Sequence, residues 1–329
     1  MENLAALMAA YINSGTPLLI AALGLLINER AGVLNLGAEG MMLVAAIAGF
    51  ATTYETHSMA LGFAAGAAAG MAMAALFAFF ALVLATNQVA TGLALSIAGG
   101  GLSAFAGQKY VGMSLPATAH GIPGLRDLPW IGKALFDHHW MVYLSLLICA
   151  ALVWFLYRSR AGLILRAVGE SPESAHALGY PVLRIRFFAL LFSGALCGLA
   201  GAYLAMIYTP MWVENMVAGR GWIALALTTF ATWRPLRILF GALLFGGVTI
   251  LQFYLQGMGV SVPSQILSMA PFAATIVVLA IMSAGTWYIF ITKFIEQQRV
   301  LNHAKLLEKK FWAAATLNEG IDSMPKNSL

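Results

Sequence analysis

The chain has 329 residues, of which 61% are hydrophobic and only 9% charged, with a mean hydropathy of +0.83 and a formal net charge of +5. That balance excludes a soluble domain. Apolar runs of about 15 to 25 residues suit α-helices crossing a hydrocarbon core of about 30 Å, and the alternation of a membrane barrel is absent, so the expected fold is all-α: a polytopic transmembrane helical bundle.

The opening residues MENLAALMAAYINSG lack the basic start and small-residue cleavage site of a secretory signal, so the first apolar run is expected to remain as a membrane helix. In chain order, spans are predicted at 11–27, 39–54, 59–84, 91–106, 140–157, 187–206, 221–232, 236–256 and 264–290, nine in all. The spans 39–54, 91–106 and 221–232 fall short of the roughly 20 residues a full crossing needs, and are candidates for broken or half-depth helices.

Between the first two spans, NERAGVLNLGAEGMM sets Asn28, Glu29, Arg30 and Glu39 in a chain otherwise poor in charge. Glu29 and Arg30 would point about 100° apart on a helix, so each is expected to find a separate partner or water. Asn35 lies in a glycine-flanked break from Gly32 to Gly37, where it either turns the backbone or hydrogen-bonds a solute. Glu39 stands at a helix start, where the dipole favours a carboxylate, and is equally a candidate for a substrate path.

Gly62, Gly66 and Gly70 share one face of the third span, and Gly194 with Gly198 repeats the device, so close helix packing inside one subunit is expected ahead of a dimer seam. Asn87, Gln88 and Thr91 form a polar cluster at the start of the fourth span. Trp222, Thr228 and Thr229 belong to the short seventh span, and Gln252 interrupts the eighth. Asn35, Glu39, Asn87, Gln88, Thr91, Trp222 and Gln252 are therefore the substrate-path candidates, because amides, hydroxyls and an aromatic face suit a neutral solute such as a nucleoside. Cys149 and Cys197 lie inside apolar runs and read as packing residues, and His138 with His139 has no further ligand at metal spacing, so no metal site is expected. A short segment followed by a long one, at 39–54 with 59–84 and again at 221–232 with 236–256, is a faint echo of two related halves.

The loop 158–186 holds Arg158, Arg160, Arg166, Arg184 and Arg186. Placing it in the cytoplasm leaves only Lys109, Arg126, Lys133 and Arg220 of the 18 basic residues outside, with the N-terminus outside and the C-terminus inside. The net charge thus reflects sidedness, and no nucleic-acid partner is expected. Within this loop Ser171 can cap, Pro172 fits a first turn, Glu173 suits the positive end, and Gly179 with Pro181 provides a stop, so a helix is predicted from Pro172 to Leu178. Ala175 and Leu178 would share a face able to enter a groove on another protein, with Glu170, Glu173 and His176 beside it; the alternative is a helix that only closes the loop. After about Gly285 the sequence reads as a basic amphipathic helix, which divides the chain into a permease domain, 1–290, and a cytoplasmic tail, 291–329. The tail would lie along the inner membrane face, make an accessory contact or extend the last span.

The stretches NERAGVLNLGAEGMM, NQVATGLALS and LRAVGESPESAHALGYPV, in that order and spacing, resemble the permease subunits of bacterial ABC importers in the branch serving simple sugars and nucleosides. The resemblance covers about Pro17 to Met282; the tail departs from it. It implies a multi-pass subunit of the bacterial inner membrane that pairs with a second permease, binds two ABC ATPase subunits and receives solute from an extracytoplasmic substrate-binding protein. The longest outer segment, residues 107–139, then reads as a loop with one short amphipathic helix suited to that protein. The resemblance also implies that residues matching Gly169 to Tyr180, with Glu170, Ser171, Glu173, Ala175, Leu178 and Gly179, form the coupling helix that docks in the ATPase. Nucleosides or purine-like solutes are the expected cargo, with simple sugars next.

Two rivals remain at this point. An ion-coupled secondary transporter needs ionisable residues deep in its spans, and the predicted spans have none at their middles. A membrane enzyme needs a seat for its chemistry, and HExxH, GxSxG and paired mid-span aspartates are all missing. The chain also lacks a GxxxxGK[ST] phosphate loop, so no cofactor is expected in it and ATP belongs to the partner ATPase.

Overall fold

A computed structural model describes residues 2–116, 121, 124–125, 132–258 and 269–313. The helices are α1 (Glu2–Arg30), α2 (Ala38–Thr56), α3 (Met59–Ala78), α4 (Gln88–Gly107), α5 (Trp140–Arg158), α6 (Arg160–Glu170), α7 (Pro172–Ala177), α8 (Val182–Tyr203), α9 (Arg220–Phe230), α10 (Pro235–Gly257) and α11 (Ala270–Ala313). Single π turns extend α3 over Phe79–Val83 and α8 over Leu204–Tyr208, and a 3₁₀ turn, Gln108–Tyr110, extends α4. The described residues fall into two compact units that divide between Thr275 and Ile276.

Among the described residues six stretches are long and apolar enough to cross a membrane: Ala5–Arg30, Met59–Val83, Gln88–Tyr110, Trp140–Arg158, Val182–Tyr208 and Pro235–Gly257. Six is fewer than the nine expected. Residues 91–106, read as a short span, belong to a full-length helix, because Asn87 caps the backbone amides of Val89 and Ala90 and so starts α4 early. Residues 221–232 are short as expected, with α9 covering 11 residues, about 16 Å of rise. Of the ninth span, residues 264–268 lie outside the described residues; residues 270–290 form part of α11, an unbroken helix of 44 residues that continues past the expected span end to Ala313. Lys293 and Glu296 pair across one turn of α11 at 2.7 Å.

The first unit is built around α1 and α8, which bury most of their length, while α3, α4, α5 and α10 leave more than half of theirs open. Tyr11 and Gly15 of α1 lie against Gly246 and Ala242 of α10, whereas Arg30 meets Trp233 just before α10; the two helices are antiparallel. Asn13 reaches Tyr203 of α8 and Ala31 reaches Arg186, so α8 is antiparallel to α1 as well. The expected glycine contacts are intramolecular. A Cβ on Gly70 would stand 2.1 Å from the Gly194 carbonyl oxygen, and one on Gly198 would stand 2.3 Å from that of Gly66. No side chain fits between α3 and α8 there, which is the close backbone approach that small residues allow in lipid.

Candidate functional site

The segment 209–219 has no helical structure; it is anchored by the buried side chains of Trp212 and Val217 and by backbone partners. Here the partners come from the strand-like segment after α4: Leu115 N donates to Pro210 O at 2.9 Å and Trp212 N to Met113 O at 3.4 Å. Gly219, at φ +83°, then turns the chain into α9.

α9 is held at both ends by residues of the Asn28 to Met42 segment. At its start, the Glu39 carboxylate accepts from Gly219 N and Gly221 N, each at 2.7 Å. The same carboxylate lies in the first turn of α2, so it serves the positive ends of two helices. Only glycine fits at 221, since a Cβ would stand 2.6 Å from Glu39 N and 2.7 Å from its Oε2. At the other end, Thr228 Oγ1 donates to Glu29 Oε1 at 2.6 Å and the Trp233 indole N–H donates to Glu29 Oε2. Arg30 donates from Nη2 to Trp233 O at 3.0 Å. Glu29 and Arg30 thus do not pair with each other; instead both bond Trp233, in the turn that follows α9.

The break between α1 and α2 is braced from three sides. Arg186 Nε donates to Ala31 O at 3.0 Å, Leu34 N donates to Gln88 Oε1 at 2.9 Å, and Ser96 Oγ donates to Leu36 O at 2.8 Å. Gly32 takes φ +77°, close to Gly169. Asn35 is fully buried; its Oδ1 accepts from Gly37 N at 2.8 Å and its Nδ2 contacts Met41 Sδ at 3.6 Å. Of the two options left by the sequence, Asn35 turns the backbone. In this conformation the side chains of Asn35 and Glu39, both substrate-path candidates, are engaged in holding the backbone turn and the start of α9.

Asn87, Gln88 and Thr91 lie beside this break. Asn87 caps α4, Gln88 braces Leu34, and Thr91 Oγ1 donates to Asn87 O at 2.8 Å and meets Thr86 Oγ1 at 2.8 Å. Trp222 follows Gly221 at the head of α9 and is half-buried. The start of α4, the start of α9 and the 31–39 turn thus bring six of the seven candidates together; Gln252, half-buried on α10, is not among them.

Toward the opposite end of α1 a cavity of about 220 Å³ is lined by Ala10, Asn13, His139, Tyr203, Ile207, Tyr208 and Ile250. Asn13 Oδ1 accepts from Tyr203 OH at 3.2 Å and lies 3.3 Å from His138 Nδ1. Tyr208 stacks under the Arg220 guanidinium, 5.4 Å from its ring centroid, which links the cavity to the head of α9. No carboxylate lines this space, so its neutral donors, acceptors and ring faces suit an uncharged solute. Asn13, Tyr203 and Tyr208 were not read as site residues from sequence. The available signal was three hydrogen-bonding groups at the same end of two apolar runs; the π turn Leu204–Tyr208, which aims Tyr208, leaves no pattern.

On the arginine-bearing end, Ser159 caps α6 by accepting from Gly162 N at 2.9 Å, and Ser171 caps α7 by accepting from Ser174 N at 3.4 Å while its hydroxyl donates to Ser174 Oγ at 2.7 Å. Leu178 is 77% exposed and Ala175 only 2%, because the chain closes over Ala175: Tyr180 N donates to its carbonyl at 3.1 Å. The expected shared face is thus half lost, and Leu178 stands out with Glu170, Glu173 and His176, all exposed. Gly179 takes φ +86° with nothing within 4 Å of a Cβ, so its backbone conformation, not crowding, asks for glycine.

Comparison with known proteins is consistent along the chain. The model of the family described as branched-chain amino acid transport system / permease component matches residues 7–284. A protein of Haloferax volcanii, "Putative glucose ABC transporter permease protein TsgC13", is 43% identical over 303 residues, covering 85% of this chain and 92% of the relative. The nucleoside ABC transporter permease protein NupC of Lactococcus lactis is 30% identical over 296 residues, covering 85% and 93%. The guanosine ABC transporter permease protein NupQ of Bacillus subtilis is 29% identical over 308 residues, covering 85% and 92%. The chain belongs to the branched-chain amino acid transport system / permease component family, as a multi-pass ABC transporter permease of the branch that holds these sugar and nucleoside permeases.

Proposed function

We propose that this permease imports a nucleoside or purine-like solute, alternating between outward and inward access as ATP closes two ATPase subunits on the cytoplasmic side. The observation that carries the reading is the capped turn α7 to Gly179, which presents an exposed Leu178 at the end of the molecule where Arg30, Arg186 and the arginine-rich loop meet. An exposed leucine on a short rigid helix suits a shallow groove on a partner, and the positive end suits the cytoplasm. ATP is bound and hydrolysed on the partner subunits. A second permease copy or homologue completes the path, a substrate-binding protein delivers the solute from outside, and the bacterial inner membrane is the site of action. The aromatic and amide lining of the Asn13 cavity favours a nucleoside; the 43% identity to the glucose-named relative favours a hexose as the second reading.

The ion-coupled alternative has no support. The carboxylates that hold the two ends of α9, Glu39 and Glu29, are both occupied by donors of that helix and its flanking turns. The test is reconstitution with the cognate ATPase and binding protein, measuring uptake of labelled nucleosides against sugars. ATP-dependent nucleoside uptake is expected, and uptake that persists without ATP overturns the importer reading. Leu178→Asp is expected to abolish ATPase association while the permease stays inserted, since an exposed side chain costs nothing in folding; full uptake by this variant rejects the docking assignment.

A further inference from the structure

A second, larger concavity of about 760 Å³ lies between α5, α6 and α8 at the arginine-bearing end. Its wall is almost wholly apolar and includes Trp154, Phe155, Ile164, Pro181 and Phe188. α6 doubles back tightly to form it: a Cβ on Gly162 would stand 2.0 Å from Phe155 O. The rim is open, with Trp154 64% and Phe188 66% exposed.

Basic residues stand below this wall on all three helices. Arg158 follows Trp154 by four positions on α5, Arg160 precedes Ile164 by four on α6, and Arg184 precedes Phe188 by four on α8. Four positions in an α-helix is one turn on the same face, so each guanidinium stem rises from the groove-lining face of its helix. All three arginines are exposed, and among the described residues none is ion-paired with a carboxylate.

We propose that this groove binds one anionic glycerophospholipid of the cytoplasmic leaflet, its acyl chains against Trp154, Phe155 and Phe188 and its phosphate among Arg158, Arg160 and Arg184. Apolar depth alone would accept any lipid; three unpaired guanidinium groups at the mouth select a negative headgroup. Tyr180 and Pro181, which follow the α7 turn directly, also line the groove, so the bound lipid touches the segment proposed to meet the ATPase. The lipid site itself does not depend on that docking assignment.

Native mass spectrometry of the purified full-length permease, exposed to equal amounts of phosphatidylglycerol and phosphatidylcholine with matched chains, tests this. Wild type is expected to retain phosphatidylglycerol about tenfold over phosphatidylcholine. Arg158→Gln with Arg184→Gln is expected to bring the ratio near parity while phosphatidylcholine retention and the thermal midpoint stay unchanged. Ala151→Phe, which fills the groove from an exposed position on its wall, is expected to lower retention of both lipids. Equal retention of the two lipids by wild type, or an undiminished preference in the double arginine variant, overturns the proposal. So does an Ala151→Phe variant that holds both lipids as wild type does.

Discussion

The two ends of α9 are held by glutamates ten positions apart in sequence, and the two clasps differ in kind. Glu39 lies in the first turn of α2 and accepts from two backbone amides at the positive end of α9, each at 2.7 Å, and is 7% exposed. Glu29 lies where α1 and α9 both end, so both helix dipoles oppose its charge, and side-chain donors, Thr228 and Trp233, satisfy it instead. The turns differ too. The chain enters α9 through Gly219, which accepts positive φ freely, but leaves it through Thr232 and Trp233 at φ +49° and +53°, where a branched and a bulky side chain fit poorly. The head of α9 is thus anchored by a buried carboxylate, and its foot is only clasped by side-chain bonds at a strained turn.

The largest effect is expected from breaking the anchor. Glu39→Ala leaves two buried amides without an acceptor and should cost about 3 kcal/mol or more, read as a large drop in thermal midpoint. Gly221→Ala should approach that loss by a different route, since its methyl would displace the same carboxylate. An intermediate effect sharpens the contrast: Glu39→Gln keeps one acceptor and turns an amide donor toward the second, buried N–H, at about 2 kcal/mol, whereas Glu29→Gln removes an opposed charge, keeps an acceptor for Thr228 and turns its amide donor only toward the exposed Trp233 indole, which water can satisfy, at about 0.5 kcal/mol. If the two glutamine variants melt alike, the anchor and the clasp are not different. Coupled assays should show the opposite ordering of function per unit stability, with Glu29→Gln altering uptake while the protein stays folded.

Much of this molecule was legible from local chemistry. The Ser171 cap, the helix start it sets and the glycine faces of α3 and α8 all depend on neighbours within a turn or on spacing along one helix, whereas Asn87 read only as a polar residue, and its cap starts α4 ahead of the expected position 91. The polar stretch from Asn28 to Met42 was legible as an anomaly but not as a bracket, because its partners are backbone amides and a threonine about 180 to 200 positions away, and every sequence offers backbone amides. Helical spacing set Ala175 and Leu178 on one face but carried no sign of the return of Tyr180 over Ala175, which leaves Leu178 alone exposed.

The smallest prediction has the opposite sign and tests the clasp alone. Thr232→Gly removes a β-branched residue from the left-handed region and should relieve about 1 kcal/mol of backbone strain. It also removes the hydroxyl that accepts from Arg237 Nη1 at 2.6 Å, an exposed contact that offsets part of the gain. A net rise of about 0.5 kcal/mol in stability is expected, with slower uptake, because a relaxed turn holds α9 more firmly at its foot. Stability that falls instead would place Thr232 with Glu39, as a residue α9 cannot do without, and the foot of the helix would then be as fixed as its head.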